Sequence, residues 1–204
     1  VRSRWVIAGA LVAGVAIAAG VVLAATHHPA SSPAPADTTP AATSAAPTGA
    51  DPTPPAQLPA FIDAPTIGAH STLVPTGLQP DGTLEVPPLA HPEQASWYRF
   101  SPPPGQPGPA VILGHINAGG TPGVFARLAR IKTGDPVTIT RADGTIVRFT
   151  VTRVETVAKA TFPTTRVYGN TPGPELRLIS CGGDLDTSAH SYLSNVIAWA
   201  KEVT

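Results

Sequence analysis

Glycine and proline, 19 and 25 of the 204 residues, bound most of the apolar segments between Phe61 and Thr204, and those segments are short. Ala110-Val111-Ile112-Leu113 reads as one continuous buried strand. Pro136 to Thr140 and Thr145 to Val154 alternate apolar and polar residues at period two, flanking Asp143-Gly144. Gly readily takes the positive φ of a type I′ turn, so that pair predicts a two-residue hairpin. Leu176 to Ile179 and Asn195 to Ala200 add two more strands. Helical patterning is confined to Pro92–Ala95 and Val124–Arg130. Short strands with Gly/Pro turns imply an all-β domain, either a closed barrel or a sandwich.

This domain, residues 61–204, is the last of three expected regions. Arg2 and Arg4 precede an uncharged stretch, Trp5 to Thr26, rich in Ala, Val, Leu, Ile and Gly. As a helix it would span about 33 Å, enough for a bilayer core of roughly 30 Å. The two arginines place its N-terminal side in the cytoplasm and the rest of the chain outside. Residues 1–26 are therefore expected to be a signal-anchor, a single-pass transmembrane helix in the cell membrane. A cleaved signal peptide is the alternative, because Leu23-Ala24-Ala25-Thr26 offers small residues to a peptidase. Residues 27–60 are almost wholly Pro, Ala, Thr and Ser. They cannot build a core and read as an extended, disordered linker reaching up to about 100 Å.

Charge narrows the function. With 13 basic and 13 acidic residues the chain has no net charge. It lacks the basic footprint of a nucleic-acid binder, so no nucleic-acid partner is expected. No cofactor is implied, and one Cys without paired His or an acidic cluster supplies no metal site. Neither a phosphate-binding Gly-rich loop nor a Gly-x-Ser-x-Gly elbow occurs.

The remaining chemistry is that of a thiol. Cys181 is the only cysteine, and it cannot form an internal disulfide. In an exported chain such a residue is a small buried hydrophobe, a partner for an intermolecular disulfide, or a free reactive thiol. It follows the apolar run Leu176 to Ile179 and precedes Gly182-Gly183, where a ligand could approach the backbone. His115 follows a second apolar run, Val111 to Gly114. Thiol and imidazole at two strand ends are the parts of a cysteine nucleophile and its proton partner. His27 and His28 border the apolar stretch, and His70 and His91 lie in Pro-flanked segments, so they are weaker candidates.

Leu178-Ile179-Ser180-Cys181 resembles the Thr-Leu-x-Thr-Cys signature of sortases, with Ser in place of the penultimate Thr. Leu84-Glu85-Val86-Pro87-Pro88, Ala95-Ser96-Trp97-Tyr98, Pro107 to His115 and Cys181-Gly182-Gly183-Asp184 together resemble actinobacterial class F sortases. The resemblance implies a closed barrel of about eight strands with one or two short helices. It implies a membrane-anchored cysteine transpeptidase cleaving a Leu-Pro-x-Thr-Gly-like sorting signal between Thr and Gly. Cys181 would form a thioester and His115 would protonate the leaving amine. The implied partners are surface proteins bearing a C-terminal sorting signal and a peptidoglycan precursor or other amine acceptor.

One departure stands out. Sortases carry an Arg on the last strand, about a dozen residues after the Cys, whereas no Arg follows Cys181 here. Leu193 or His190 stands in that window. His190, or Arg166 from the preceding loop, is the expected substitute as oxyanion and substrate donor. Arg177 shares a strand face with Cys181 about 13 Å away and reads as structural or as groove rim. The alternative function is a degenerate sortase-like module that binds sorting signals with little turnover. An L,D-transpeptidase fits less well, since that family sets its Cys in a Ser-x-Gly-Cys-Arg-like context.

Overall fold

The computed structural model describes residues 54–188 and 191–203. Their strands are β1 (Pro59–Ala64), β2 (Ala69–Thr76), β3 (Ala95–Tyr98), β4 (Gly108–Gly114), a small ribbon of β5 (Asn117–Ala118) and β6 (Thr121–Pro122), then β7 (Pro136–Arg141) and β8 (Ile146–Ala158). A single α-helix, α1 (Thr164–Tyr168), precedes β9 (Pro174–Asp186) and β10 (Ser191–Glu202). Eight strands close into a barrel in the order β1-β2-β3-β4-β9-β10-β8-β7. Closure decides between barrel and sandwich, and it leaves no open edge to pair with another chain.

Two apolar layers hold the fold together. Ile62, Ile112, Phe149, Leu178 and Ala198 point into the barrel. Val111, Leu113, Val167, Ile179, Ile197 and Trp199 form a second cluster on the outer face of β4, β9 and β10. That outer layer is covered by the β8–β9 connection, which carries α1, and by Leu84 from the β2–β3 segment. β4 is thus buried at all seven residues and reads as an unbroken apolar run. A parallel partner, β9, and cover on both faces are the reason. By contrast β8 alternates, with Val147, Phe149 and Val151 inward, because its other face meets water. Each fully buried Leu, Ile or Phe contributes roughly 1.5–3 kcal/mol.

Several local expectations change. β1 begins at Pro59, two residues ahead of the expected boundary at Phe61. Ala142 donates its N–H to Leu58 O at 2.9 Å and Asp143 to Ala56 O at 3.0 Å, so the chain is already tied to the β7–β8 turn there. That turn has three residues, not two: Arg141 donates to Thr145 O at 2.8 Å, and Gly144 takes φ 83°. Gly is still required, at the left-handed bulge position. The helix expected at Pro92–Ala95 is a turn leading into β3, and Val124–Arg130 contains only a 3₁₀ turn at Leu128–Arg130. The signal-anchor at 1–26 and most of the linker lie outside the described residues.

Candidate active site

His115 leaves the end of β4 under tight local control. Its carbonyl accepts the Phe125 N–H at 3.0 Å, while Gly123 donates to Ile116 O at 2.9 Å. A Cβ on Gly114 would lie 2.5 Å from Val124 Cγ1 and 2.6 Å from the Phe125 ring, so only Gly lets this turn press against β4. The imidazole Nε2 lies 2.6 Å from Pro87 O. A carbonyl only accepts, so Nε2 carries the proton and donates it there.

Cys181 sits inside β9, not at its end as the residue pattern suggested, because the strand continues to Asp186. It is half-buried and faces Asn195 directly across β10. The parallel pairing of β4 with β9 sets Leu113 opposite Ile179. Two residues further along each chain come His115, just past the end of β4, and Cys181, inside β9.

The glycines after Cys181 have structural reasons. A Cβ on Gly182 would meet Val196 Cγ2 at 2.5 Å, and Gly183 takes φ 72°. Gly182 pairs with Ser194 and Leu185 with Tyr192, so β9 carries one extra residue, a bulge with Gly183 in the left-handed position.

Cys181 and His115 line one groove of about 570 Å³. Leu113, Ile179, Phe162 and Tyr168 give it an apolar wall, with Leu84, Val86 and Pro87 from the β2–β3 segment opposite. Burial, with Tyr98 adding a smaller effect, pushes the Tyr168 phenol up to about 12. It therefore stays a neutral O–H donor throughout any physiological range.

The arginine candidates lie elsewhere. Arg166 pairs with Glu155 at 2.5 Å and stands 5.5 Å over the Trp199 ring, away from the groove lining. Arg177 is fully buried, not a rim residue, with Glu175 at 2.6 Å and the Trp199 ring at 4.2 Å. Burial pulls its pKa below the ordinary value, opposed by the hydrogen bond it donates to Glu175. Leu193 is 54% exposed on β10. His190 lies outside the described residues.

The groove residues missed from sequence include Asn195 and Lys159. Asn195 could have been found by pairing β9 with β10 antiparallel and counting back from the bulge. Nothing near Lys159 in the chain marks it, since its place depends on the β8–β10 register.

The sortase-domain family model matches residues 62–203. The chain belongs to the sortase family. Its barrel is similar to that of sortase A from Corynebacterium diphtheriae (lid mutant), at 21% identity over 72% of this chain and 70% of that one, with a TM-score of 0.56. Sortase C-1 from Actinomyces oris matches at 19% identity over 71% and 73% of the two chains, TM-score 0.55. A Clostridium perfringens sortase D5 transpeptidase matches at 18% over 72% and 79%, TM-score 0.53. Sortases of several classes thus share this fold. No match occurs among curated protein sequences.

Proposed function

We propose that this sortase is a membrane-tethered cysteine transpeptidase of the class F type, acting on Leu-Pro-x-Thr-Gly-like sorting signals outside the cell. The observation that carries the reading is the shared groove of Cys181 and His115 beside an apolar wall suited to a Leu-Pro segment. The Cys181 thiolate attacks the Thr carbonyl carbon, forming a C–S bond while the π pair moves to oxygen. The thiol's proton passes first to His115, which becomes an imidazolium. The oxyanion then collapses, the C–N bond breaks, and the amine leaves with the Nε2 proton of that imidazolium, returning the ring to neutral. That nitrogen must first release Pro87 O. An acceptor amine, from a peptidoglycan precursor or a similar source, then displaces the thiolate. A free thiol has a pKa of about 8.5 and is only partly ionised near neutrality, so a proton partner is needed. Residues 5–26 would hold the enzyme in the membrane, and the Pro-rich linker would carry the barrel outward.

A second reading rests on a specific observation. No arginine lines the groove among the described residues, which favours a module that binds sorting signals without turning them over. Intact-mass spectrometry with a Leu-Pro-x-Thr-Gly peptide library separates the two. A gain equal to the peptide through Thr, absent from Cys181→Ala, supports the enzyme. Peptide binding without any adduct would leave the binding module.

A further inference from the structure

We propose that Lys159 supplies the positive charge that binds the scissile carbonyl oxygen beside Cys181, in the role the absent arginine leaves open; this rests on the transpeptidase reading. Three observations place it there. Lys159 lines the groove that holds Cys181 and His115, and it is the one lysine or arginine among the described lining residues. No carboxylate stands in that lining to neutralise it. The strand register brings it close: Ala158 of β8 pairs with Ser194 of β10, which pairs with Gly182 of β9. Lys159 follows Ala158 and so starts two strands, roughly 10 Å, from the Cys181–Gly182 segment. A four-carbon stem with a flexible ammonium head closes much of that gap.

Lys159 opens the 3₁₀ turn just past β8, whose Val157 packs on the outer cluster that floors the groove. Its Nζ rests on Ser191 Oγ at 3.0 Å, a residue paired with Asp186 and four positions along β10 from Asn195. The flexible ammonium swings from this exposed hydroxyl to the incoming oxygen and turns its donors to it there. When the thiolate adds to the carbonyl, the new negative charge falls on an oxygen within this field. Lys159 donates a hydrogen bond to it, keeps its proton, and releases it when the C–N bond breaks. Asn195, facing Cys181, offers a neutral donor beside it.

The test uses the full chain and two readouts. The first is alkylation of Cys181 by iodoacetate and by iodoacetamide. In both, the thiolate displaces iodide to form a C–S bond, so the ratio of rates cancels thiolate population and access and reports local charge. A nearby ammonium favours the anionic reagent, and the ratio is expected to fall roughly three- to tenfold in Lys159→Ala and Lys159→Met. Lys159→Arg should restore it. The second readout is single-turnover acylation by a sorting-signal peptide, expected to fall about a hundredfold in the neutral variants and to recover in Lys159→Arg.

An unchanged ratio and unchanged acylation in Lys159→Ala would overturn the inference while leaving the transpeptidase intact. A ratio that falls in a protein forming no thioester would support the charge placement and overturn the transpeptidase reading instead. Lys159 is exposed, so an unchanged melting curve is expected for each variant and separates charge from folding.

Discussion

Arg177 and Cys181 stand four positions apart on the same face of β9, and the two positions have opposite characters. Around Arg177 every charge is spent locally: Arg153 and Arg177 each lie 4.2 Å from the Trp199 ring, and Glu155 and Glu175 pair with the guanidinium groups. Around Cys181 the groove holds an imidazole bound to a backbone carbonyl and a lysine bound to a hydroxyl. Counting cations would rank the arginine end as the anion site. Partners reverse that ranking, because a cation already matched by a carboxylate and an aromatic face has little field left for a substrate.

The sharpest way to break this division is to disable each end separately. Cys181→Ala should remove all thioester, and His115→Gln should slow acyl transfer by about 10²–10⁴, both with unchanged urea midpoints. At the other end, Arg177→Ala leaves Glu175 without its buried partner and should cost about 3–5 kcal/mol of stability. Acylation per folded molecule should stay within a few-fold, measured at low temperature where the variant is still native. Loss of acylation without loss of stability in Arg177→Ala would show that the two ends are one site.

Much of this was legible in the residues, for physical reasons. Apolar segments at Ala110–Leu113 and Leu176–Ile179, the second interrupted only by Arg177, marked buried strands, and each chemical group stands two residues after its segment. β1 and β2 were not legible, since prolines at 59 and 75 and scattered apolar residues hide their alternation. The strand-end reading of Cys181 failed because Gly182 and Gly183 continue β9 through a bulge instead of stopping it. Arg166 stands outside the groove lining, paired with Glu155 eleven residues upstream on β8. Such pairings depend on cross-strand register, which one chain of residues does not display.

Tyr168 sharpens the comparison from the groove wall. Its phenol titrates at about 12 in the fold against about 10 in the unfolded chain. The unfolded state therefore loses its proton first, and stability should decline as pH rises from about 10 to 12. Below pH 10 the contribution is complete. After allowance for partial exposure the decline is about 1–2 kcal/mol. Tyr168→Phe should flatten this slope in urea titrations. An equal slope in the variant would mean that the phenol is better hydrated than its packing against Tyr98 and Phe162 implies.

The smallest effect is expected at Arg166, and its smallness is informative. Its pair with Glu155 is half exposed on the arginine side, so Arg166→Ala should cost less than about 1 kcal/mol. Acylation and the iodoacetate-to-iodoacetamide ratio should both stay within about twofold of the parent protein. A large fall in acylation would place this guanidinium in the groove during turnover, requiring it to leave Glu155 and the Trp199 face. The stacking at 5.5 Å and the carboxylate contact both oppose that movement. If it nevertheless occurs, the arginines around Trp199 are a reserve that the substrate draws on, and Lys159 is a neighbour of the reaction, not its cation.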